Sequence, residues 1–250
     1  NMGYAMLNGV LGEFAPGQII FTTPHKEKCE KISAQTGVKY AESNAECANN
    51  AKYIILAVKP QMYDAVLKNI ENVITSEKVI ISIAPGITID SIKGKLGGRA
   101  MPNTPALVGE GMTGISYNKE EFTIEERDTI EQFFQSFGEV VTVPEHLMSA
   151  VVCASGSSPA YAYMFIEALA DSVVKYGIPR QDAYKLAAQT LLGSAKMVLQ
   201  TGEHPGKLKD NVCSPAGTTI QGVAALEEYG FRNAVIKATD KCYEACTKIK

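Results

Sequence analysis

What this 250-residue chain lacks sets the first limits on it. Histidine occurs only three times, at His25, His146 and His204, and none of the three sits in an HExxH pair or a triad pattern. A GxSxG elbow and a P-loop are also absent, so serine hydrolysis and phosphoryl transfer find no motif here. Cysteine is sparse, at 29, 47, 153, 213, 242 and 246, with no CxxC pair. Scattered thiols of this kind predict a reduced, intracellular setting, which we take as cytoplasmic. Cys242 and Cys246 share a helix face without a neighbouring histidine, a pattern that reads as packing rather than as a metal site. Long apolar runs are missing: those such as 79–84 are strand-sized, well short of the ~18 residues of a membrane span. Charge of one sign is missing too. With Lys+Arg at 24 and Asp+Glu at 27 the net charge is −3, which gives no general attraction to nucleic acid or to an anionic membrane, so the expected partner is small.

What is present fits a folded globular protein, since hydrophobic residues make up 46% and charged ones 20%, and the length suits one large or two ordinary domains, where a domain is roughly 150 residues. Up to residue 145, β-like and helical patterns alternate. The spacing predicts strands over 18–22, 53–58, 78–83, 99–101 and 139–143, and helices over 25–35, 61–74, 88–96 and 123–137. Apolar strands such as YIILAV at 53–58 do not alternate in polarity, so both faces are covered, and α/β alternation implies a parallel sheet. Residues 1–145 are thus expected to form a doubly wound, Rossmann-type α/β domain. Because Asn1-Met2-Gly3 leads straight into an amphipathic helix, a first strand and part of a turn are expected ahead of it.

From 146 the period is helical, with helices expected over 147–177, 179–201, 204–211, from 220 and over 231–249, an all-α domain. The run 155–159, SGSSP, breaks the first of these, although Gly and Pro inside a helix cost about 1 and 3 kcal/mol. It either kinks the helix or opens its backbone to a site. Residues 183–199, AYKLAAQTLLGSAKMVL, are apolar around most of the helix girth and need cover that about 100 residues do not supply, so a second copy of the chain is expected to provide it.

Ligands of a doubly wound sheet lie beyond the carboxyl ends of its strands. Turn residues gather at those ends, at 22–26, 57–60, 84–86 and 102–105. Where an NAD site carries a carboxylate after its second strand, this chain has Thr22 and Thr23 followed by His25 and Lys26, which favours the 2′-phosphate of NADPH over NADH. In 210–220, DNVCSPAGTTI, hydroxyls, a proline and a glycine precede an apolar helix. The expected geometry is a helix mouth with Ser214 as cap, Pro215 in the first turn and Gly217 allowing close approach, its free N–H groups turned to a carboxylate or phosphate. A nicotinamide supplies hydride itself, so an electrophilic acceptor such as a protonated imine needs no strong protein acid, and a carboxylate on that acceptor suits residues 214–219.

The stretch DNVCSPAGTTIQGVAALEEYGFR, with SGSSPAYAY, HPGKLKD, LAVKP and MPNTP, resembles the pyrroline-5-carboxylate reductase family along essentially the whole chain. That family reduces a cyclic imino acid to proline with NAD(P)H, the last step of proline biosynthesis. The resemblance implies that Asn1, Met2 and Gly3 end a glycine-rich phosphate loop, and that Thr23, His25 and Asn44 surround the adenosine ribose and its phosphate. It implies that Ala57, Val58, Lys59 and Pro60, with Ile83, Ala84 and Pro85, form loops over the cofactor. Glu145, Asn211, Thr218 and Thr219 match the substrate site, amides and hydroxyls near Ser214 and Gly217 hold the carboxylate, and Thr219 takes the catalytic place by hydrogen bonding to the ring nitrogen. It further implies a homodimer with interleaved helical domains, assembling into a homodecamer, a pentamer of dimers. Ser158 and Ala216 stand where glycine is frequent in the family. Two other readings stay open: reduction of a related cyclic imine or a β-hydroxyacid, the latter needing Lys175 or Lys196 as a base, and a non-catalytic dinucleotide-binding protein.

Overall fold

The structure, a computed structural model, describes residues 2–92 and 96–248. The chain divides into two compact units, Asn1–Ser157 with Cys242–Lys250, and Ser158–Lys241. The division therefore falls later than residue 145. The reason is local: the helical turns after Glu145 pack on the first unit's sheet, with the Val151 side chain filling the space beside Gly114 and the Ser155 carbonyl accepting from Asn103 Nδ2 at 3.0 Å.

In the first unit the order is α1 (Met2–Val10), β1 (Ile20–Phe21), α2 (Lys26–Thr36), β2 (Lys39–Tyr40), α3 (Asn44–Asn49), β3 (Tyr53–Leu56), α4 (Tyr63–Ile70), β4 (Val79–Ser82), β5 (Leu96–Met101), β6 (Gly111–Tyr117), α5 (Ile124–Gln135), β7 (Gly138–Thr142) and α6 (Met148–Val151). β1 and β2 form a two-stranded parallel sheet, and β3-β4-β5-β6-β7 a five-stranded one. The larger sheet is mostly parallel, as its apolar strands require, but β5 and β6 run antiparallel. The connection between them is only a 3₁₀ turn, Thr104–Val108, closed by Gly109 at φ 75°, and so short a link cannot carry the chain back for a parallel crossover. The helix expected over 88–96 is replaced by a 3₁₀ turn at Ile89–Ser91, after which Leu96 already belongs to β5. Residues 93–95 of that expectation lie outside the described residues. Gly97 and Gly98 do not favour a helix, and Gly97 instead lets β5 close on Ile89.

Every residue of β4 is buried, because helices cover both sheet faces. One face packs Met6 and Val10 of α1 and Phe134 and Phe137 against Val79, Ile81 and Ile115. The other packs Leu67 and Ile70 of α4 against Ile54, Leu56 and Ile80. Each such side chain contributes about 1.5–3 kcal/mol on full burial, which makes this sandwich the main source of stability in the unit. α5 starts where its sequence signals it: Thr123 Oγ1 accepts from the Glu126 amide at 3.2 Å and Glu126 Oε2 from the Thr123 amide at 3.0 Å. At the other end of a helix, half-buried Lys78 donates through Nζ to the carbonyls of Ala48 and Ala51 at 2.7 Å and of Asn49 at 3.1 Å, satisfying the end of α3.

The interruption at 155–159 is a π-helical turn, Val152–Gly156, in which the Ser157 amide donates to the Val152 carbonyl at 2.8 Å. α7 (Ser158–Val174) then begins, with Pro159 in the first turn, where a missing N–H costs nothing.

The second unit contains α7, α8 (Arg180–Thr201), α9 (Pro205–Val212), α10 (Thr218–Glu228) and the greater part of α11 (Phe231–Thr247). Among its described residues the buried hydrophobics are only Ala170, Ala183 and Ala187. Large apolar side chains stand in the open, among them Met164 at 68%, Leu199 at 77% and Ile236 at 58% exposure. Three alanines are too small a core for five helical segments, so the apolar faces of this unit need cover from outside it. No described helix is long and apolar enough to cross a membrane.

Candidate functional site

In the first unit Leu56 pairs with Ser82, so residues 57–60 and 83–85 leave the sheet side by side. The first turn of α1 lies against the same exit: a side chain added at Gly3 would stand 3.3 Å from Ala57 Cβ. The opening amides of α1 have no acceptor within the helix and carry its positive dipole end, so this helix mouth beside the strand exit is complementary to an anion. Met2 begins this helix, while Asn1 lies outside the described residues. Around the exit Ala57 and Lys59 are exposed, Val58, Pro60, Ile83 and Pro85 are half-buried, and Ala84 is buried with its amide donating to Ser82 Oγ at 3.2 Å.

At the end of β1, Thr23 shapes the turn. Its hydroxyl accepts from the His25 amide at 3.3 Å and lies 3.4 Å from Cys29 Sγ. His25 is exposed, and Lys26 Nζ lies 3.8 Å from Glu42 in a solvated pair. Asn44 is half-buried in the first turn of α3, which Ser43 caps by accepting from the Glu46 amide at 3.1 Å. Hydroxyls, an imidazole and a cation thus share one strand end.

Glu145 is held inside the first unit. Its Oε1 accepts from the Ile89 amide at 2.7 Å and from Arg99 Nη1 at 3.1 Å. Asn103, singled out in sequence only as a strand-end residue, ties two segments together: Oδ1 accepts from the Met112 amide at 2.9 Å while Nδ2 holds the Ser155 carbonyl of the π turn. A single buried asparagine between two prolines was the available sign, but its partners lie in segments that sequence spacing does not connect.

In the second unit α10 starts at Thr218 with Gly217 in the capping position, and no side chain caps it. The expectation that Ser214 caps the helix and Pro215 enters its first turn is therefore corrected. The Ser214 carbonyl accepts from the Gly217 amide at 3.0 Å, closing a turn with Pro215 second and Ala216 third. Ala216 has φ 56°, the left-handed conformation that such a turn demands after proline. Proline's fixed φ suits this turn as well as a helix start, and the turn wins because Ala216 supplies the positive φ. Any side chain at Gly217 would strike Ser214 Oγ, so the hydroxyl sits against the helix mouth only because residue 217 is glycine. Asn211, Ser214, Thr218 and Thr219 are exposed and Gly217 is half-buried. Asp210, just ahead of this segment in the chain, is paired with Lys209. Uncapped amides at an open helix start are complementary to a small anion.

The chain resembles known proteins in both units. Residues 145–249 match the family model described as pyrroline-5-carboxylate reductase dimerisation, and residues 1–86 the one described as NADP oxidoreductase, coenzyme F420-dependent. The pyrroline-5-carboxylate reductase of Escherichia coli (strain K12) is 48% identical over 256 residues, covering 100% of this chain and 95% of that protein. The chain belongs to the pyrroline-5-carboxylate reductase family. Among solved structures, the reductase from Coxiella burnetii superposes with a TM-score of 0.92 at 29% identity, covering 100% of this chain and 95% of that one. The Plasmodium falciparum reductase with NADP bound gives 0.86 at 32% identity, covering 99% and 94%. Membership of the reductase family gives the bare helices of the second unit a context, since the matched segment is a dimerisation domain. The lysines required by a β-hydroxyacid reading, Lys175 and Lys196, are exposed, and Lys175 Nζ lies 5.0 Å from the centre of the Tyr176 ring.

Proposed function

We propose that the chain reduces 1-pyrroline-5-carboxylate to L-proline, the last step of proline biosynthesis, with NADPH as the preferred donor and NADH as a second one. The observation that carries this reading is the uncapped start of α10, open to a carboxylate, in a chain that also presents the α1 mouth against the β3 exit.

The α1 mouth, with residues 57–60 and 83–85, would hold the dinucleotide, and Thr23, His25, Lys26 and Asn44 would surround its adenosine ribose and 2′-phosphate. When bound, the nicotinamide supplies hydride to the imine carbon. The amides of Thr218 and Thr219 and the Ser214 hydroxyl grip the substrate carboxylate, while Gly217, whose amide closes the turn on the Ser214 carbonyl, lets it approach closely. Thr219 Oγ1 holds the ring nitrogen by a hydrogen bond, so that the nitrogen keeps its proton as it receives the C=N electron pair. Asn211 and Glu145 complete the substrate side.

The working unit is a homodimer, with a pentamer of dimers as the higher assembly, and the compartment is the cytoplasm. The small alanine core of the second unit supports the dimer. Purified protein given the imine with NADPH or NADH should consume the cofactor, with the higher kcat/KM for NADPH. Absence of turnover with both donors ends the reading. A non-catalytic dinucleotide binder would take up NADPH yet bind neither proline nor another small carboxylate. Sedimentation at several concentrations separates dimer from decamer, and a monomer would overturn the assembly.

A further inference from the structure

Three cysteines, one of them far from the other two in the chain, meet in the first unit. Cys153 lies in the π turn, Cys242 and Cys246 lie on successive turns of α11, and their Sγ atoms are all within 4.8 Å of one another. Cys153 is 2% exposed and the other two are half-buried. The Cys242 thiol also donates to Ser157 Oγ at 3.3 Å, and no cysteine is in a disulfide. We propose that Cys153, Cys242 and Cys246 bind one thiophilic d10 cation of the zinc class, with a solvent oxygen in the fourth position.

Residues four apart on a helix project from one face, so Cys242 and Cys246 form a ready two-sulfur edge. The π turn brings the third sulfur to that edge, in a helical irregularity of the kind frequent at functional sites. Zinc at about 2.3 Å from each thiolate needs sulfurs about 3.8 Å apart, a closure that side-chain rotation from the present spacing supplies. A set of three sulfurs selects against Mg²⁺ and Ca²⁺, which require oxygen ligands. Binding is balanced by proton loss: each thiol that becomes a ligand releases one proton to solvent, and no electron is transferred. A disulfide would join only two of the three, and all six cysteines are free thiols. The ion would clip the end of α11 to the turn after α6. This site is independent of the reductase chemistry, so its failure would leave that reading intact.

The test uses the full chain, reduced and stripped with a chelator, then titrated with Zn²⁺ in equilibrium dialysis and with Cd²⁺ as a spectroscopic probe. One ion per chain, an ultraviolet thiolate-to-metal charge-transfer band and proton release are expected. Cys153→Ser, Cys242→Ser and Cys246→Ser should each weaken binding by about tenfold or more. Cys47→Ser and Cys213→Ser should leave it unchanged. Because a hydroxyl at buried position 153 threatens folding, Cys153→Ala and metal-free circular dichroism of every variant accompany the series. A folded variant that has lost the ion supports the site. Absence of a bound ion, retention of affinity in the triple variant, or a disulfide found by mass spectrometry without reductant would overturn it.

Discussion

Arg99 and Glu145 form an ion pair of 3.1 Å in which the arginine side chain is only 11% exposed. The guanidinium has given up most of its water and depends on this carboxylate, which also fixes the turn at Ile89. Removing the carboxylate as Glu145→Ala should cost about 1–3 kcal/mol in urea unfolding, below the figure for a fully buried pair because Glu145 is a third exposed. If Glu145 also touches the substrate, Glu145→Gln should raise KM for the imine more than it lowers kcat.

Ala216 occupies left-handed backbone space that costs a residue with a Cβ about 1–2 kcal/mol. Ala216→Gly removes that cost but frees the unfolded chain by about 0.4–1 kcal/mol, so a net gain of about 0.5–1 kcal/mol is expected. Thermal unfolding checks the sign: a lower midpoint for the glycine variant would show that the turn carries no strain. A β-branched residue here should be clearly destabilising.

Thr219 lies exposed in the first turn of α10. Thr219→Ala should lower kcat/KM by about 10–100-fold, the worth of one hydrogen bond to a charged group, while the Kd for NADPH stays within about twofold. An equal fall in cofactor affinity would place Thr219 on the wrong side of the reaction.

Glu126 titrates below the usual carboxylate range, chiefly because the Thr123 amide donates to it and then because Lys52 lies 3.0 Å away. Since the folded value is the lowered one, the stabilisation is complete above the ordinary carboxylate range and is lost as pH falls towards and through the folded value. Glu126→Gln should cost about 1–2 kcal/mol at neutral pH and flatten the acid limb of stability. Unfolding midpoints from neutral pH downwards measure this, and parallel curves for the two proteins would refute it.

Elements whose causes are local could be read from the chain. Helical spacing over 123–137 announced α5, and the largely apolar run over 78–83 announced β4, a strand covered on both faces. β2 has two residues and α3 six, too few for periodicity to register. The 88–96 expectation failed at its described residues because the apolar spacing there reflects a 3₁₀ turn at Ile89–Ser91 and the start of β5 at Leu96, not a helix. At the α10 mouth the residue types were legible and their geometry was not, since proline suits both a turn and a helix start and only the φ of Ala216 decides between them. The spacing of Cys242 and Cys246 showed that they share a helix face, but the Arg99–Glu145 pair and the approach of Cys153 to those two cysteines come from tertiary packing and have no signature in spacing.

The three carbonyls gathered on Lys78 have a consequence for substitution. An ammonium offers three hydrogens at tetrahedral angles about one point, whereas a guanidinium spreads its donors across a plane, so arginine would keep the charge and still fail to reach all three acceptors. Position 78 should therefore reject its nearest chemical relative almost as firmly as it rejects a neutral residue.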